Sequence, residues 1–364
     1  MIPGIKPIYQ ILVLGVLVTG CKQNRSEIEQ SHFNDTVTEA YIHDPSELQM
    51  ENDVYMVFST GNGVQTWFRN SHMNEWKSAG RLDRPTWWDE VFPGNIGHFW
   101  APCVPSKWVL YYSFEANDDH ASAIGRAVAT GSPPELIWQD DGPVLIMPAC
   151  RDSGRNCPVA IDPSVFTDKA GEIYMAFGSG TSGIWMVELD KKTGHLSKEA
   201  AKGFSEQNKA YHRVAYNRMA EPRVPTDYIE APFVYSHPEN KYYYLFVNWG
   251  HCCSGVESTY QIMVGRSEAP TGPFLDKNGK NMLDEGGTML LKSEGRYVGP
   301  GHAGIYRHND GSYAISFHYY DGKDKGNARL AVRKLTWENE WPVVLAEDFF
   351  TSDNRAVSIT KSQF

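Results

Sequence analysis

Ala160-Ile161-Asp162-Pro163-Ser164-Val165-Phe166 sets an acidic residue directly before a proline and then runs into a short β-branched and aromatic segment. Four other stretches share that design. In His43-Asp44-Pro45-Ser46, Trp100-Ala101-Pro102, Glu230-Ala231-Pro232-Phe233-Val234 and Gly299-Pro300-Gly301-His302, a proline stands within two residues of a group able to do chemistry. After each proline comes an aromatic-rich run bounded by the small or polar residues that end strands. These runs begin at Val54, Trp108, Ile173, Tyr242 and Ser312. A third strand-like run follows each, over 63–68, 122–127, 183–189, 260–266 and 328–335. The prolines at 45, 102, 163, 232 and 300 lie 57, 61, 69 and 68 residues apart, a period that suits a four-stranded blade with generous loops. The expected fold is all-β, a five-bladed β-propeller. A β-sandwich also starts strands with proline, but it would leave the recurrence to chance.

Composition agrees. In 364 residues there are 11 Trp, 19 Tyr, 16 Phe, 32 Gly and 21 Pro, which suit short strands and tight turns. Helix signals are scarce: 83–91 and 205–211 allow a turn or two, and 203–226, the largest insertion, reads as a charged surface loop. A net charge of −10 without a Lys/Arg cluster excludes a nucleic-acid surface and leaves a neutral ligand the easier fit.

The N-terminus reads as a targeting segment. Residues 8–17 form an apolar run after Lys6 that is too short to span a bilayer. It ends in Leu17-Val18-Thr19-Gly20-Cys21, which resembles a bacterial lipobox, with cleavage before Cys21 and a lipid on its sulfur; an ordinary signal peptide is the alternative. The expected organisation is a lipoprotein signal peptide over 1–20, a tether over 21–38 and one catalytic propeller over 39–364. The chain would be exported and held at a bacterial membrane, on the periplasmic side or at the cell surface. Export permits disulfides. With Cys21 used, five cysteines remain, so at least one thiol stays free; Cys150 and Cys157 can close a local loop, and the adjacent Cys252-Cys253 pair can bond to itself.

The first strand of a propeller blade lines the central channel, so equivalent positions of the five repeats meet at one mouth. Asp44 and Asp162 immediately precede their prolines, Glu230 and Trp100 stand two before, and His302 stands two after. Like charges in a partly desolvated funnel push their pKa values apart, which separates a proton donor from a proton acceptor. Around a sugar-sized cleft, such a pair suggests glycoside hydrolysis. Trp87, Trp88 and Phe99 are expected as rim aromatics, and Phe99, Trp100, Ser179 and Trp249 as substrate contacts. A single Asp-Pro is usually a turn start; recurrence in register is what argues for a site. A surface lipoprotein that binds glycan without cleaving it would need the aromatics but no matched acid and base.

From 41 to 341 these residues resemble the glycoside hydrolase family 43 arabinanases. The markers are His43-Asp44-Pro45-Ser46, Phe99-Trp100-Ala101-Pro102, Ser122-Ala123-Ile124-Gly125, Ala160-Ile161-Asp162-Pro163, Ile229-Glu230-Ala231-Pro232, Cys252-Cys253-Ser254-Gly255, Ser258-Thr259-Tyr260, Val264-Gly265-Arg266-Ser267, Gly299-Pro300-Gly301-His302 and His318-Tyr319-Tyr320-Asp321. The Cys-Cys-x-Gly with Ser-Thr-Tyr points to the endo-acting branch. The resemblance implies an inverting hydrolase of α-1,5-linked L-arabinofuranosyl bonds in plant cell-wall arabinan or arabino-oligosaccharides. Asp44 would be the base, Glu230 the acid and Asp162 the carboxylate that raises the pKa of Glu230. His302 would reach a metal ion, usually calcium and otherwise surrounded by water. An α-L-arabinofuranosidase or β-xylosidase could use the same three carboxylates. Departures are Cys103, where the family commonly has an acidic residue, the 115–120 segment, and the unusual stretches 150–157 and 213–223, which are expected to reshape the cleft ends.

Overall fold

A computed structural model describes residues 40–94, 98–115, 121–148, 157–205, 207–217 and 228–350. The signal-peptide and tether assignments, and Cys150, lie outside these residues. Five four-stranded antiparallel sheets follow one another along the chain. Blade 1 holds β1 (Gln49–Glu51), β2 (Val54–Ser59), β3 (Val64–Asn70) and β4 (Lys77–Leu82). Blade 2 holds β5 (Cys103–Ser106), β6 (Val109–Glu115), β7 (Ser122–Ser132) and β8 (Glu135–Met147). Blade 3 is built from β9 (Ser164–Thr167), β10 (Ile173–Phe177), β11 (Ile184–Leu189) and β12 (Tyr211–Ala215). Blade 4 comprises β13 (Ile229–Ser236), β14 (Tyr243–Trp249), β15 (Gln261–Ser267) and β16 (Thr288–Leu291). Blade 5 comprises β17 (Tyr297–Arg307), β18 (Tyr313–Asp321), β19 (Asn327–Glu338) and β20 (Trp341–Asp348). The five-bladed propeller expected from the proline period is the fold.

Each second strand reads as a continuous apolar run because blades cover both of its faces. β14 is buried from Tyr243 through Asn248, and β18 along its whole length. The hydrophobic core is accordingly divided into five seams, one between each pair of neighbouring blades. Phe58 meets Leu110 and Tyr112 across blades 1 and 2, Tyr111 meets Val187 across blades 2 and 3, and Phe246 meets Phe317 across blades 4 and 5. Blades 3 and 4 share Met186, Val214, Leu245 and Val247.

The fifth seam closes the ring. Every blade takes its strands from consecutive sequence, so no strand is exchanged between the first and last blades among the described residues. Closure rests on side chains: Ile42, Leu48 and Val57 pack with Ala314, Leu330, Val332 and Phe349. Ser316 Oγ donates to the Ser46 carbonyl at 3.0 Å, and the Leu330 amide donates to the Ala40 carbonyl at 3.4 Å.

Two expectations change. Part of the stretch expected as a surface loop is β12, the outermost strand of blade 3, because Tyr211, Val214 and Ala215 are buried against blade cores. A helix does form in the first of the two expected places, as α1 (Trp87–Val91), but around 205–211 the described residues hold turns and the start of β12. Since the closing seam has no shared strand, Leu330→Ala should lower stability by about 2–5 kcal/mol, the usual loss for a fully buried leucine. Urea unfolding measures it, and a change below about 1 kcal/mol would show that the seam does not hold the ring.

Candidate active site

Four non-glycine residues at the channel mouth have left-handed backbone: Asp44 (φ 47°), Asp162 (φ 54°), Ala231 (φ 53°) and His302 (φ 60°). Each such residue costs about 1–3 kcal/mol and persists only where its surroundings hold it. Three of them precede a proline, which disfavours helical backbone as well. In β13 the pairing slips by one residue between Glu230 and Phe233, and in β17 between Val298 and Gly301 and again between Gly301 and Gly304. The bulges re-aim the side chains beside them.

Each left-handed residue is held in the same way, by a side chain of the preceding blade that accepts its amide hydrogen. The Asp44 amide donates to His318 Nδ1 at 3.1 Å, the Asp162 amide to Ser113 Oγ at 3.2 Å, the Ala231 amide to Asp162 Oδ2 at 3.1 Å and the His302 amide to Asn248 Oδ1 at 2.9 Å. Ser113, Asn248 and His318 occupy one register position near the ends of β6, β14 and β18. A satisfied buried amide contributes about 1 kcal/mol net, and leaving it unmade costs more. The backbone strain is therefore offset at the point where it arises.

The three carboxylates converge and differ. Asp44 Oδ2 accepts from Thr60 Oγ1 at 2.7 Å and from His43 Nδ1 at 2.8 Å, while Oδ1 faces His318 Nδ1 at 3.4 Å and His302 Nδ1 at 3.7 Å. Burial pushes its carboxyl up, but His43, through charge and hydrogen bond, outweighs it and holds Asp44 far below the usual carboxylate range, while burial keeps His302 and His318 neutral. Glu230 is the opposite case. Its carboxylate accepts from Tyr260 Oη on Oε1 and from Ser179 Oγ on Oε2 at 2.8 Å, and Tyr228 Oη lies 3.1 Å from the same serine. Burial raises Glu230 despite those two hydroxyls, and the Asp44 charge adds to the rise. Asp162 is raised as well, by burial and then by repulsion from Glu230 and Asp44. Asp162 and Glu230 titrate together and retain a proton where isolated carboxyls have lost theirs.

Among the residues expected to touch substrate, Ser179 reaches Glu230. Trp249 ends β14 with its ring packed on the blade 4 core, and Trp100 lies ahead of β5 with its amide donated to the Ser113 carbonyl at 2.8 Å. Phe99 and Trp88 need correction. Both are fully buried in the seam between blades 1 and 2, packed on each other, with Trp88 also on Phe114 and Phe99 also on Tyr112, so neither offers a face to a sugar. Trp87 packs partly buried against the same cluster. Aromatic-rich wording marked them, and the blade core claimed them instead.

Sequence reading passed over His43, His318, Tyr260, Tyr320, Thr60 and Asn248 as site residues. Most stand inside motifs already conspicuous in the chain, and the ends of the second strands would have identified Asn248 and His318. His43, Asp44 and His318 are close enough to suggest a metal cluster. However, the two imidazoles stack at 4.2 Å with planes 19° apart, and His318 Nδ1 already accepts the Asp44 amide. Lone pairs in near-parallel planes do not converge on one ion. His302 is different: burial first of all keeps its imidazole neutral, the form that ligates metal. One neutral imidazole beside a carboxylate fits a cation that keeps most of its water, since calcium otherwise requires six to eight oxygens.

Cysteine expectations can be followed in part. Cys252 and Cys253 are bonded to each other, Cys157 is in a disulfide, and Cys103 is free and buried. Cys103, which stands where the family commonly has an acid, donates to Glu47 Oε1 at 3.6 Å and accepts the Val165 amide at 3.3 Å. It ties the inner strands of blades 2 and 3 to blade 1.

Comparison with known proteins agrees with this geometry. Residues 33–342 match the family described as Glycosyl hydrolases family 43. An extracellular exo-α-(1→5)-L-arabinofuranosidase of Cellvibrio japonicus is 35% identical, over 83% of this chain and 86% of its own length. An extracellular endo-α-(1→5)-L-arabinanase of Bacillus subtilis is 33% identical, over 83% of this chain and 87% of its own. The structure of Cellvibrio cellulosa α-L-arabinanase complexed with arabinohexaose superposes with a TM-score of 0.72 at 33% identity, covering 83% of this chain and 95% of that one. With its five-bladed propeller and a match over most of its length, this chain belongs to glycosyl hydrolase family 43 and is a glycoside hydrolase.

Proposed function

We propose that the protein hydrolyses α-1,5-linked L-arabinofuranosyl bonds in arabinan or arabino-oligosaccharides with inversion of the anomeric centre. The observation that carries this reading is the split among the carboxylates: Asp44 is held ionised by the His43 imidazole at 2.8 Å, while the Asp162–Glu230 pair is held with a proton. Asp44 is the base. Its Oδ2 is fixed by Thr60 and His43, which leaves Oδ1 to take a proton from the attacking water. Glu230 is the acid that protonates the departing sugar oxygen. Tyr260 and Ser179 hold its carboxyl in place, and Asp162 fixes the adjacent Ala231 amide and repels charge on Glu230. The names of relatives at 33–35% identity support the substrate class. Because those relatives include both exo and endo enzymes, the mode of attack is left to the product profile.

Glu230→Gln should lower hydrolysis of debranched arabinan on the order of 10²–10⁴-fold, as loss of a general acid does. In wild type, oligosaccharides in the first minutes mark endo attack, and arabinose alone marks exo attack. Activity near wild type in the Gln variant would remove Glu230 from its role. The pH profile tests the pairing. Asn at 162 keeps an oxygen for the Ala231 amide but removes a negative charge, so Glu230 loses its proton at lower pH. The alkaline limb of kcat/KM in Asp162→Asn should therefore move downward; an unmoved limb contradicts the coupling.

His302 is assigned a hydrated calcium, whose chemistry there would be to fix water and balance charge near Asp44. Exhaustive chelation should lower the thermal unfolding midpoint, calcium should restore it, and His302→Ala should abolish the response. The relatives named extracellular support export, and Cys21 is assigned the lipid. Cys21→Ser should release the protein from the membrane fraction; persistence there would reject the anchor.

A further inference from the structure

The Cys252–Cys253 disulfide and Tyr320 have no part in the acid–base chemistry, yet they join the base by an unbroken chain of hydrogen bonds. The Cys253 amide donates to Tyr320 Oη at 2.6 Å. Tyr320 Oη lies 2.7 Å from His43 Nε2, and His43 Nδ1 lies 2.8 Å from Asp44 Oδ2. Proton directions follow from the ends. The tyrosine oxygen accepts from an amide that can only donate, so its own hydrogen is free for His43 Nε2. In either charge state His43 Nδ1 carries the hydrogen donated to Asp44: the charged imidazole, which the Asp44 carboxylate favours, donates to Tyr320 Oη through Nε2, and the neutral one accepts the Tyr320 hydrogen there. Stacking on His318 fixes the ring plane from the side.

The disulfide end of this chain is placed as firmly. Bonding between adjacent cysteines closes a small ring around their peptide, and Cys253 is held with left-handed backbone (φ 61°). The turn that follows is seated on blade 5: a Cβ at Gly326 would lie 2.6 Å from the Val256 amide nitrogen and 2.7 Å from Gly255 Cα. The donor of the first hydrogen bond therefore sits on constrained backbone, although Cys253 itself is exposed. Cys253 Sγ also lies 3.9 Å from His43 Nε2, against the same imidazole.

We propose that the Cys252–Cys253 disulfide and Tyr320 are positioning elements for the hydrolytic reaction, which act through His43 to fix the aim of the imidazole that orients Asp44. The proposal rests on the reading of Asp44 as the base. It makes Tyr320 and the disulfide members of one relay, so their effects overlap. It also predicts that they matter only while His43 is an imidazole. Partners that orient metal-ligating side chains typically contribute 10–100-fold to affinity or activity, and the same order is expected of a relay that orients Asp44.

The test is steady-state hydrolysis of linear arabino-oligosaccharides by full-length variants, with folding checked by thermal unfolding. Tyr320→Phe should lower kcat about 10–100-fold with KM within about twofold, and the double variant Cys252→Ser/Cys253→Ser should do likewise. The triple variant should be no slower than Tyr320→Phe. His43→Asn, which keeps a side-chain N–H near the Nδ1 position, should retain far more kcat than His43→Ala, and in its background Tyr320→Phe should have no further effect. Multiplicative losses in the triple variant, or a full Tyr320→Phe effect on top of His43→Asn, would overturn the relay. If the cysteine variant fails to fold, the His43 and Tyr320 pair decides alone. Asp44→Asn separates the two claims: an active Asp44→Asn removes the base assignment, whereas an inactive Asp44→Asn beside a fully active Tyr320→Phe removes only the relay.

Discussion

The site depends on one repeated constraint: the backbone at the channel mouth is bent into left-handed conformations that it would not adopt alone, and the neighbouring blade holds it there. The amides of Asp44, Asp162, Ala231 and His302 each donate to a side chain of the blade before. Strain of about 1–3 kcal/mol per residue is thereby distributed around the ring. This explains how groups from four different blades are held in one place, with Glu230 and His302 inside β13 and β17 and with Asp44 and Asp162 in the segments just ahead of β1 and β9. It also makes the closed ring part of the chemistry, because His318 of blade 5 holds Asp44 of blade 1. A seam held by side-chain packing, without a shared strand, is enough to bring the base into register.

Asp162 shows how one residue serves both structure and charge. Its amide is anchored by Ser113, and its carboxylate anchors Ala231, the residue next to Glu230. The same carboxylate repels a negative charge on Glu230. Removing it therefore changes both the aim and the proton affinity of the acid, and the Asn variant separates the two. Asp44 is tuned in the reverse direction by His43, so both protonation states needed at neutral pH arise from burial and neighbours rather than residue type.

Much of this was legible in the chain. Five prolines at a regular period, each ahead of an aromatic strand, specified the blades, and the residues beside the prolines specified Asp44, Asp162, Glu230 and His302 as channel neighbours. What could not be read was the use of aromatic residues: Phe99 and Trp88 look like a sugar platform in sequence, but the same apolar surface fills the seam between blades 1 and 2. Tyr211 to Ala215 were hidden for a related reason, since a short strand inside a charged insertion is recognised only by the core it covers. The supporting shell was the least visible. Thr60, Asn248, Tyr260 and Tyr320 act through hydrogen bonds between residues far apart in sequence, which no local pattern encodes.

The central claim is that Asp44 activates water for a single displacement at the anomeric carbon. Proton NMR of the first-formed sugar, recorded before mutarotation during hydrolysis of an α-linked arabino-oligosaccharide, tests it most directly. The account predicts the β-anomer of L-arabinofuranose at the new reducing end; initial release of the α-anomer would mean a covalent intermediate and would contradict the role of Asp44.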